Sequence, residues 1–320
     1  VGVGRLHLGK FGIVIQFILL AFTWGASFFF IKIGLQGLSP AQVVWTRIVL
    51  GALTMGLIVL VMRQPIPKDV RLWGHLFVVA ILLCVVPFML ISWAEQHISS
   101  GLASIYHATT PLLTVVFAVV VLSTERLTRD RVLGLVLGFI GVLTVIGVWQ
   151  GLEAGNDLGS QLAVLAANTS YGMAYAYLRR FVSPRGDPVI AVAFIQVTMA
   201  ACIMLLTTPW LVSSPIKLTP AVVLSMITLG VVGTGLAYIW NTNVVGAWGA
   251  TNGSAVTYLT PIVGVVLGVV VLGEPLSWHQ PVGAGLVIMG VLASHGRFSR
   301  RKVRAPQQQE VTSDDLPQRV

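Results

Sequence analysis

Charge is what this chain has least of. Only 10% of its 320 residues are Asp, Glu, Lys or Arg, against 56% hydrophobic. Soluble domains carry about a quarter charged residues, so a water-soluble globule is excluded and an integral membrane protein is implied. Cysteine is scarce too. Cys84 and Cys202 are the only two, both within apolar runs and without metal-ligand spacing, which excludes a disulfide framework or a zinc site. No His-Glu-x-x-His, Gly-x-Gly-Asp or P-loop pattern occurs, and no nucleotide-binding domain is attached. These absences argue against metalloprotease activity and ATP-driven work, and no catalytic residue, metal or cofactor is expected.

What the chain does have is an internal echo. Residues Ser104 to Leu143 recur, about 150 positions on, as Ser254 to Leu292. Pro111 falls on Pro261 and the run Val119-Val120-Val121-Leu122 on Val269-Val270-Val271-Leu272. After a one-residue gap, Glu125 falls on Glu274, Gly134 on Gly283 and Gly141 on Gly290. A repeat half a chain long, in apolar sequence, marks a membrane protein built from two halves. Such proteins usually move solutes through a site at the seam.

A membrane crossing needs about 20 apolar residues, and hydropathy predicts about ten crossings. Five fall in residues 11–149 and five in 158–296, followed by a basic, then polar tail at 297–320. Helix starts are marked by capping chemistry at Ser39-Pro40-Ala41-Gln42, Thr219-Pro220 and Ser277-x-x-Gln280. With the N-terminus in the cytoplasm, 17 of the 20 Lys and Arg lie in cytoplasmic segments, Lys32 and Lys217 lie outside, and Arg47 is inside a span. That asymmetry predicts both termini in the cytoplasm of a multi-pass cell-membrane protein (plasma or inner membrane). It also assigns the net charge of +9 to topology rather than to nucleic acid.

Five spans is an odd number, so the second half must insert upside down. The loop with Arg126, Arg129 and Arg131 corresponds to Glu274–Gln280, which has no Lys or Arg, and the lightly charged Lys32 loop corresponds to the basic Arg179–Arg185 loop. The expected fold is all-α and integral to the membrane, with ten transmembrane helices in two inverted five-helix repeats. The first span is not read as a removable signal, because its Trp24-Gly25 matches Tyr171-Gly172 in the sixth.

The pattern Trp24-Gly25-Ala26-Ser27-Phe28, Ser39-Pro40, Arg47, Pro111 and Glu125-x-Leu127-Thr128 resembles the EamA-type drug/metabolite transporter superfamily. The second half resembles the same domain at Pro261, Gly273-Glu274, Leu276-Ser277 and Gly290. The resemblance covers nearly all of residues 11–296. It implies two inverted five-helix repeats around a central cavity and movement of small metabolites by alternating access. One departure stands out: Ile195 and Gln196 occupy the place where Arg47 would recur.

Candidate substrate-binding residues follow from polar groups in apolar spans. Ser100, Ser104, His107 and Pro111 fall on one helical face, and Ala250, Ser254, Thr257 and Pro261 repeat it. This face either lines a cavity or packs a helix contact, and the two prolines are expected to kink their helices. His107 either contacts substrate or is a neutral histidine satisfied by a neighbouring helix. Arg47 either ties helices together or binds a substrate carboxylate or phosphate. Glu95 either pairs with Arg47 at a gate or ends its helix in solvent. Trp24 and Phe28, with Tyr171, Tyr175 and Asn168 in the second half, read as cavity wall or as helix packing, and Tyr258 is a further candidate. Glu125 and Glu274 read as structural, as do Gly134, Gly138, Gly141, Gly283, Gly285 and Gly290.

No Asp or Glu occupies the middle of a span, whereas the related small multidrug resistance proteins need such a carboxylate to export lipophilic cations. The expected function is therefore a secondary transporter or facilitator that exports small metabolites such as amino acids. The alternatives are a polytopic membrane enzyme or a receptor-like protein. The expected partners are a small-molecule metabolite and the lipid bilayer, with no nucleic acid and no ATPase subunit, in a monomer or homodimer.

Overall fold

Ser39 and Thr219 start helices as the sequence predicts, whereas the box expected at Ser277 does not close, since Gln280 Oε1 has no hydrogen-bond partner. The computed structural model describes residues 10–122, 128–147, 157–211, 214–248 and 256–294. Ser39 and Gln42 form a reciprocal capping box at the start of α2, with the Gln42 side chain 2.9 Å from the Ser39 amide. Asp69, Ser99, Thr128, Asp157 and Thr219 cap five later helices, each side chain accepting one backbone N–H of the first turn.

Ten longer helical stretches organise the described residues, beside the short helix Thr208–Leu211. They are α1 (Lys10–Gly34), α2 (Pro40–Val61), α3 (Val70–Ala94), α4 (Ser100–Val121), α5 (Arg129–Ile146), α6 (Leu158–Tyr177), α7 (Val189–Leu206), α8 (Pro220–Ile227, continuing to Trp248), α9 (Val256–Leu272) and α10 (His279–Ser294). By length and composition α1 to α4, α7 and α8 can each cross a membrane, whereas α9 and α10 are apolar but shorter. The remaining two are more polar. α5 opens on Arg129-Asp130-Arg131, and α6 carries Gln161, Asn168, Thr169 and Ser170.

Four helices depart from regular geometry, α3 and α8 at matching places, α4 in its middle, and α6 where it runs out through a π-helical turn at Leu178–Val182. α3 widens into a π-helical turn at Ile81–Val85 and α8 at Thr228–Leu236, while α4 is interrupted at Ala108 and Thr109. Such defects free backbone carbonyls, which must find other donors inside a membrane. Ser170 donates to the Leu82 carbonyl at 2.7 Å, and Thr234 to the Leu229 carbonyl at 3.2 Å.

The two prolines expected to kink behave differently. Pro111 opens the second part of the interrupted α4, but Pro261 lies inside a continuous α9. The carbonyl that Pro261 cannot serve, that of Thr257, accepts the Thr260 hydroxyl at 2.9 Å, so this helix keeps its course.

Helix partners exchange between the halves. α1 packs on α9 and α8, and α6 packs on the counterparts α4 and α3; α2 packs on α8 as α7 packs on α3. The α2–α7, α4–α9 and α5–α10 contacts map onto themselves under the same exchange. Most intimate is α5–α10, where glycines bring backbones together. A Cβ on Gly290 would fall 2.6 Å from the Gly134 carbonyl oxygen, and one on Gly141 2.7 Å from the Val287 nitrogen. Gly285, also expected to pack, meets nothing within 4 Å.

Cross-links sort the turns to two ends of the bundle. At one end, where α1 stops, Lys32 reaches the α3–α4 turn, the Lys217 amide donates to Gly37, and His97 lies 3.6 Å from Asp157 at the start of α6. Ser160 bonds there hold the exposed Asp157 carboxyl below the usual carboxylate range. At the other end Arg185 pairs with Asp69, and Arg180 donates to the Val121 carbonyl. So α6 starts at the end where α1 finishes.

Candidate functional site

Arg47 turns from α2 into the bundle, with 8% of its surface exposed. Its guanidinium lies 3.8 Å over the Phe88 ring, a cation–π contact, and its Nε donates to Thr234 Oγ1 at 3.3 Å. Among the described residues its two terminal Nη groups have no acceptor. A guanidinium carries five donors, and inside a membrane bundle unspent donors mark a place where an anion can bind.

Gln196 stands on α7 where Arg47 stands on α2, and it makes the mirrored contacts. Its amide nitrogen donates to Cys84 Sγ at 3.5 Å and to the Tyr238 hydroxyl at 3.3 Å. Cys84 lies in the π-turn of α3 as Thr234 lies in that of α8, and Tyr238 follows Thr234 as Phe88 follows Cys84. One polar layer thus crosses the bundle centre with its charge symmetry broken at Arg47 against Gln196. Sequence reasoning noted Gln196 only as a departure from the repeat; it had no signal that α3 and α8 would open π-turns to meet the pair.

His107 ends the first part of α4 beside this layer. Its ring packs edge-on to Tyr171 and tilted on Phe28, with centroids 5.3 and 5.5 Å apart. Arg47 is within electrostatic range of both His107 and Tyr171. Asn168 fixes the imidazole. Its amide nitrogen donates to the Tyr106 carbonyl at 2.7 Å and to Thr109 Oγ1 at 3.1 Å, and its oxygen accepts from Thr110 Oγ1 and faces His107 Nδ1, both at 3.2 Å. The Tyr106 carbonyl can only accept, so the amide orientation is settled and His107 Nδ1 must carry the proton. Nε2 is then a lone-pair acceptor, without a protein partner among the described residues.

The four bonds of Asn168 use its whole hydrogen-bonding capacity. It is a fully buried brace across the break in α4, and not a free substrate ligand. Two measurements separate brace from ligand. Asn168→Leu is expected to destabilise the protein by about 2–3 kcal/mol through unsatisfied buried groups, seen as a lower melting temperature in detergent. His107→Phe keeps the ring contacts and is expected to leave melting unchanged, while lowering transport about tenfold, the equivalent of ~1.4 kcal/mol.

The other candidates are placed as follows. Ser104 is fully buried, donates to the Gly101 carbonyl at 2.7 Å and packs on Gly264, so it serves a helix contact. Ser100 and Gly101 bind the Glu274 carboxylate at 2.8 to 3.1 Å, which makes Glu274 a cap on α4. The polar face of α4 therefore does not point to one cavity, because its first two turns are engaged by α9 and the turn after it. Trp24 packs beside Leu20, Ala237 and Val256, away from its counterpart Tyr171, which meets His107. Tyr175 exposes 41% of its surface one turn beyond Tyr171. Thr257 is half-buried, and Tyr258 packs against Ala108, Leu112, Val287 and Val291. Ser254 and Glu125 lie outside the described residues.

Glu95 corrects both expectations for it. It does not end its helix in solvent, being fully buried, and it does not pair with Arg47: neither carboxyl oxygen has a hydrogen-bond partner. The reason is the α3–α4 turn, which folds under α1 and is held there by Lys32.

Comparison with known proteins agrees with this architecture. A solved crystal structure superposes with a TM-score of 0.59 at 16% identity, covering 88% of this chain and 97% of that one, a likeness of fold. The chain is 28% identical to the uncharacterized transporter YyaM of Bacillus subtilis, covering 93% of this chain and 98% of that one. It is 26% identical to a protein of Salmonella typhimurium named "Probable amino-acid metabolite efflux pump", over 89% and 95% of the two chains. The uncharacterized inner membrane transporter YedA of Escherichia coli K12 is 24% identical over 92% and 95%. The EamA-like transporter family model matches twice, at residues 11–147 and 158–294, and the chain, a multi-pass membrane protein built from two such repeats, belongs to the EamA-like transporter family.

Proposed function

We propose that the protein is a secondary transporter that exports amino-acid-like compounds by alternating access between two inverted five-helix halves. The observation that carries this reading is Arg47, a buried cation with unspent donors beside a histidine whose Nε2 is an open acceptor. A zwitterion presents the complementary pair: a carboxylate for the guanidinium and an ammonium for the imidazole lone pair. Phe28, Phe88, Tyr171 and Tyr238 supply the apolar wall. The name carried by the Salmonella relative supports the same substrate class.

In this reading α5, α6, α9 and α10 also cross the bilayer, which gives ten crossings. The exchanged helix partners support halves that rock about the Arg47–Gln196 layer. The end bearing Arg63, Lys68, Arg71, Arg179, Arg180 and Arg185 is cytoplasmic by charge, and the Lys32 and Lys217 end is external. The test is a comparison of amino-acid pools in cells and medium, with and without overexpression, followed by flux of the leading compounds in liposomes. Enrichment of the medium in amino acids is the expected result. Unchanged pools together with chemical conversion of a solute would replace transport with the enzyme reading.

A further inference from the structure

Among the described residues one buried carboxyl, that of Glu95, has no hydrogen-bond partner and no part in the substrate site. Glu95 closes α3 at the end where α1 stops, fully buried, with both carboxyl oxygens lacking a hydrogen-bond partner. Burying an ionised carboxylate without a partner is prohibitively costly, whereas a neutral carboxyl is tolerated. The charged groups around it are otherwise engaged. Lys32 on α1 spends its ammonium on the backbone carbonyls of Glu95 and of Ile98, the latter at 2.8 Å. Glu274, from the turn after α9, is bound by Ser100 and Gly101 on α4. Arg47 on α2 donates to Thr234, and His97 further along the turn faces Asp157 and Ser160 of α6.

We propose that Glu95 is a proton-binding site that couples protonation to closure of this end of the transporter. This rests on the family membership and on the alternating-access reading, not on the identity of the solute. With a proton on its carboxyl, Glu95 sits buried and Lys32 is free to hold the α3–α4 turn by its carbonyls. When the proton leaves to water, the carboxylate needs a cation, and Lys32 is in reach. Shifting its ammonium from the Glu95 and Ile98 carbonyls to the carboxylate releases the turn from α1. Protonation therefore closes this end and deprotonation loosens it. Since the charge pattern puts this end outside, an acidic exterior favours the form closed on this side, and the proton exchanges with the exterior each time this end opens. Intramembrane carboxylates commonly serve such relays.

The test needs no substrate. Infrared spectra of the purified protein at pH 7, in a detergent without carbonyl groups, are expected to show a protonated-carboxyl C=O band. That band should be lost in Glu95→Gln and kept in Glu274→Gln. Absence of the band from the wild-type protein overturns the proposal even if no variant folds, as does a band that survives Glu95→Gln. In liposomes, Glu95→Gln is expected to abolish the dependence of amino-acid flux on the pH at this side of the membrane while retaining exchange of the same amino acid. An equal dependence of flux on that pH in Glu95→Gln and wild type also overturns it. If no amino acid moves at all, the solute reading fails while the infrared result still decides the proton site.

Discussion

Arg47→Met is expected to reduce carrier-mediated flux of amino acids about 100-fold while the protein keeps or gains stability. The size follows from losing a charge-assisted, water-excluded pairing to a carboxylate; ~3 kcal/mol corresponds to about two decades. The direction of the stability change is the informative part. Arg47 is buried with one side-chain hydrogen bond and one ring contact, so without substrate it is an incompletely compensated charge. Replacing such a group by an apolar side chain of similar length is neutral or stabilising. An arginine that merely tied α2 to α8 would show the opposite, with melting temperature and flux falling together. Flux and thermal melting of the same preparation distinguish the two roles. Gln196→Arg is a useful companion, since it puts a second guanidinium where the pseudo-symmetry places the first.

Gly290→Leu is expected to remove nearly all folded protein. α5 and α10 meet backbone to backbone, and a Cβ at Gly290 would sit 2.6 Å from the Gly134 carbonyl and 2.7 Å from the Gly138 nitrogen. Neither atom can swing aside as the end of a side chain would, so the helices must separate along their length. The expected cost exceeds the usual ~1–3 kcal/mol for an overpacked core, and marginally stable proteins do not survive much more. Gly285→Leu, on the same helix but facing open space, is the control and should express normally. Size-exclusion profiles of the two variants check this directly.

The sequence conveyed the architecture better than the site, for physical reasons. Two helix starts were legible because Ser39 and Thr219 carry their own capping chemistry, a local property. The glycine faces of α5 and α10 were legible because small residues at helical spacing need only one partner helix. Asn168 was legible as a polar residue at the site but not as a brace, because its role depends on a break in α4 that Pro111 alone does not specify. Pro261 shows this well, since the same residue in the matching helix leaves it continuous. The π-turns at Ile81–Val85 and Thr228–Leu236 left no local signature, and with them Cys84, Thr234, Tyr238 and Gln196 went unrecognised as one layer. Glu95 was misjudged for a related reason. Its place at the end of a span predicts solvent, and only the folding of the α3–α4 turn under Lys32 buries it.

The central claim is that a zwitterion is carried between Arg47 and His107. Flux into sealed liposomes containing the purified protein tests it most directly, comparing one transported amino acid with its methyl ester and its N-acetyl derivative. The expected result is carrier-mediated flux of the parent compound, at least tenfold less of the ester, which gives Arg47 no carboxylate (~1.4 kcal/mol or more), and an intermediate loss for the N-acetyl derivative, which has no ammonium for Nε2. Ester and acid moving at equal carrier-mediated rates would contradict the site, and no flux of any of the three would contradict the substrate class.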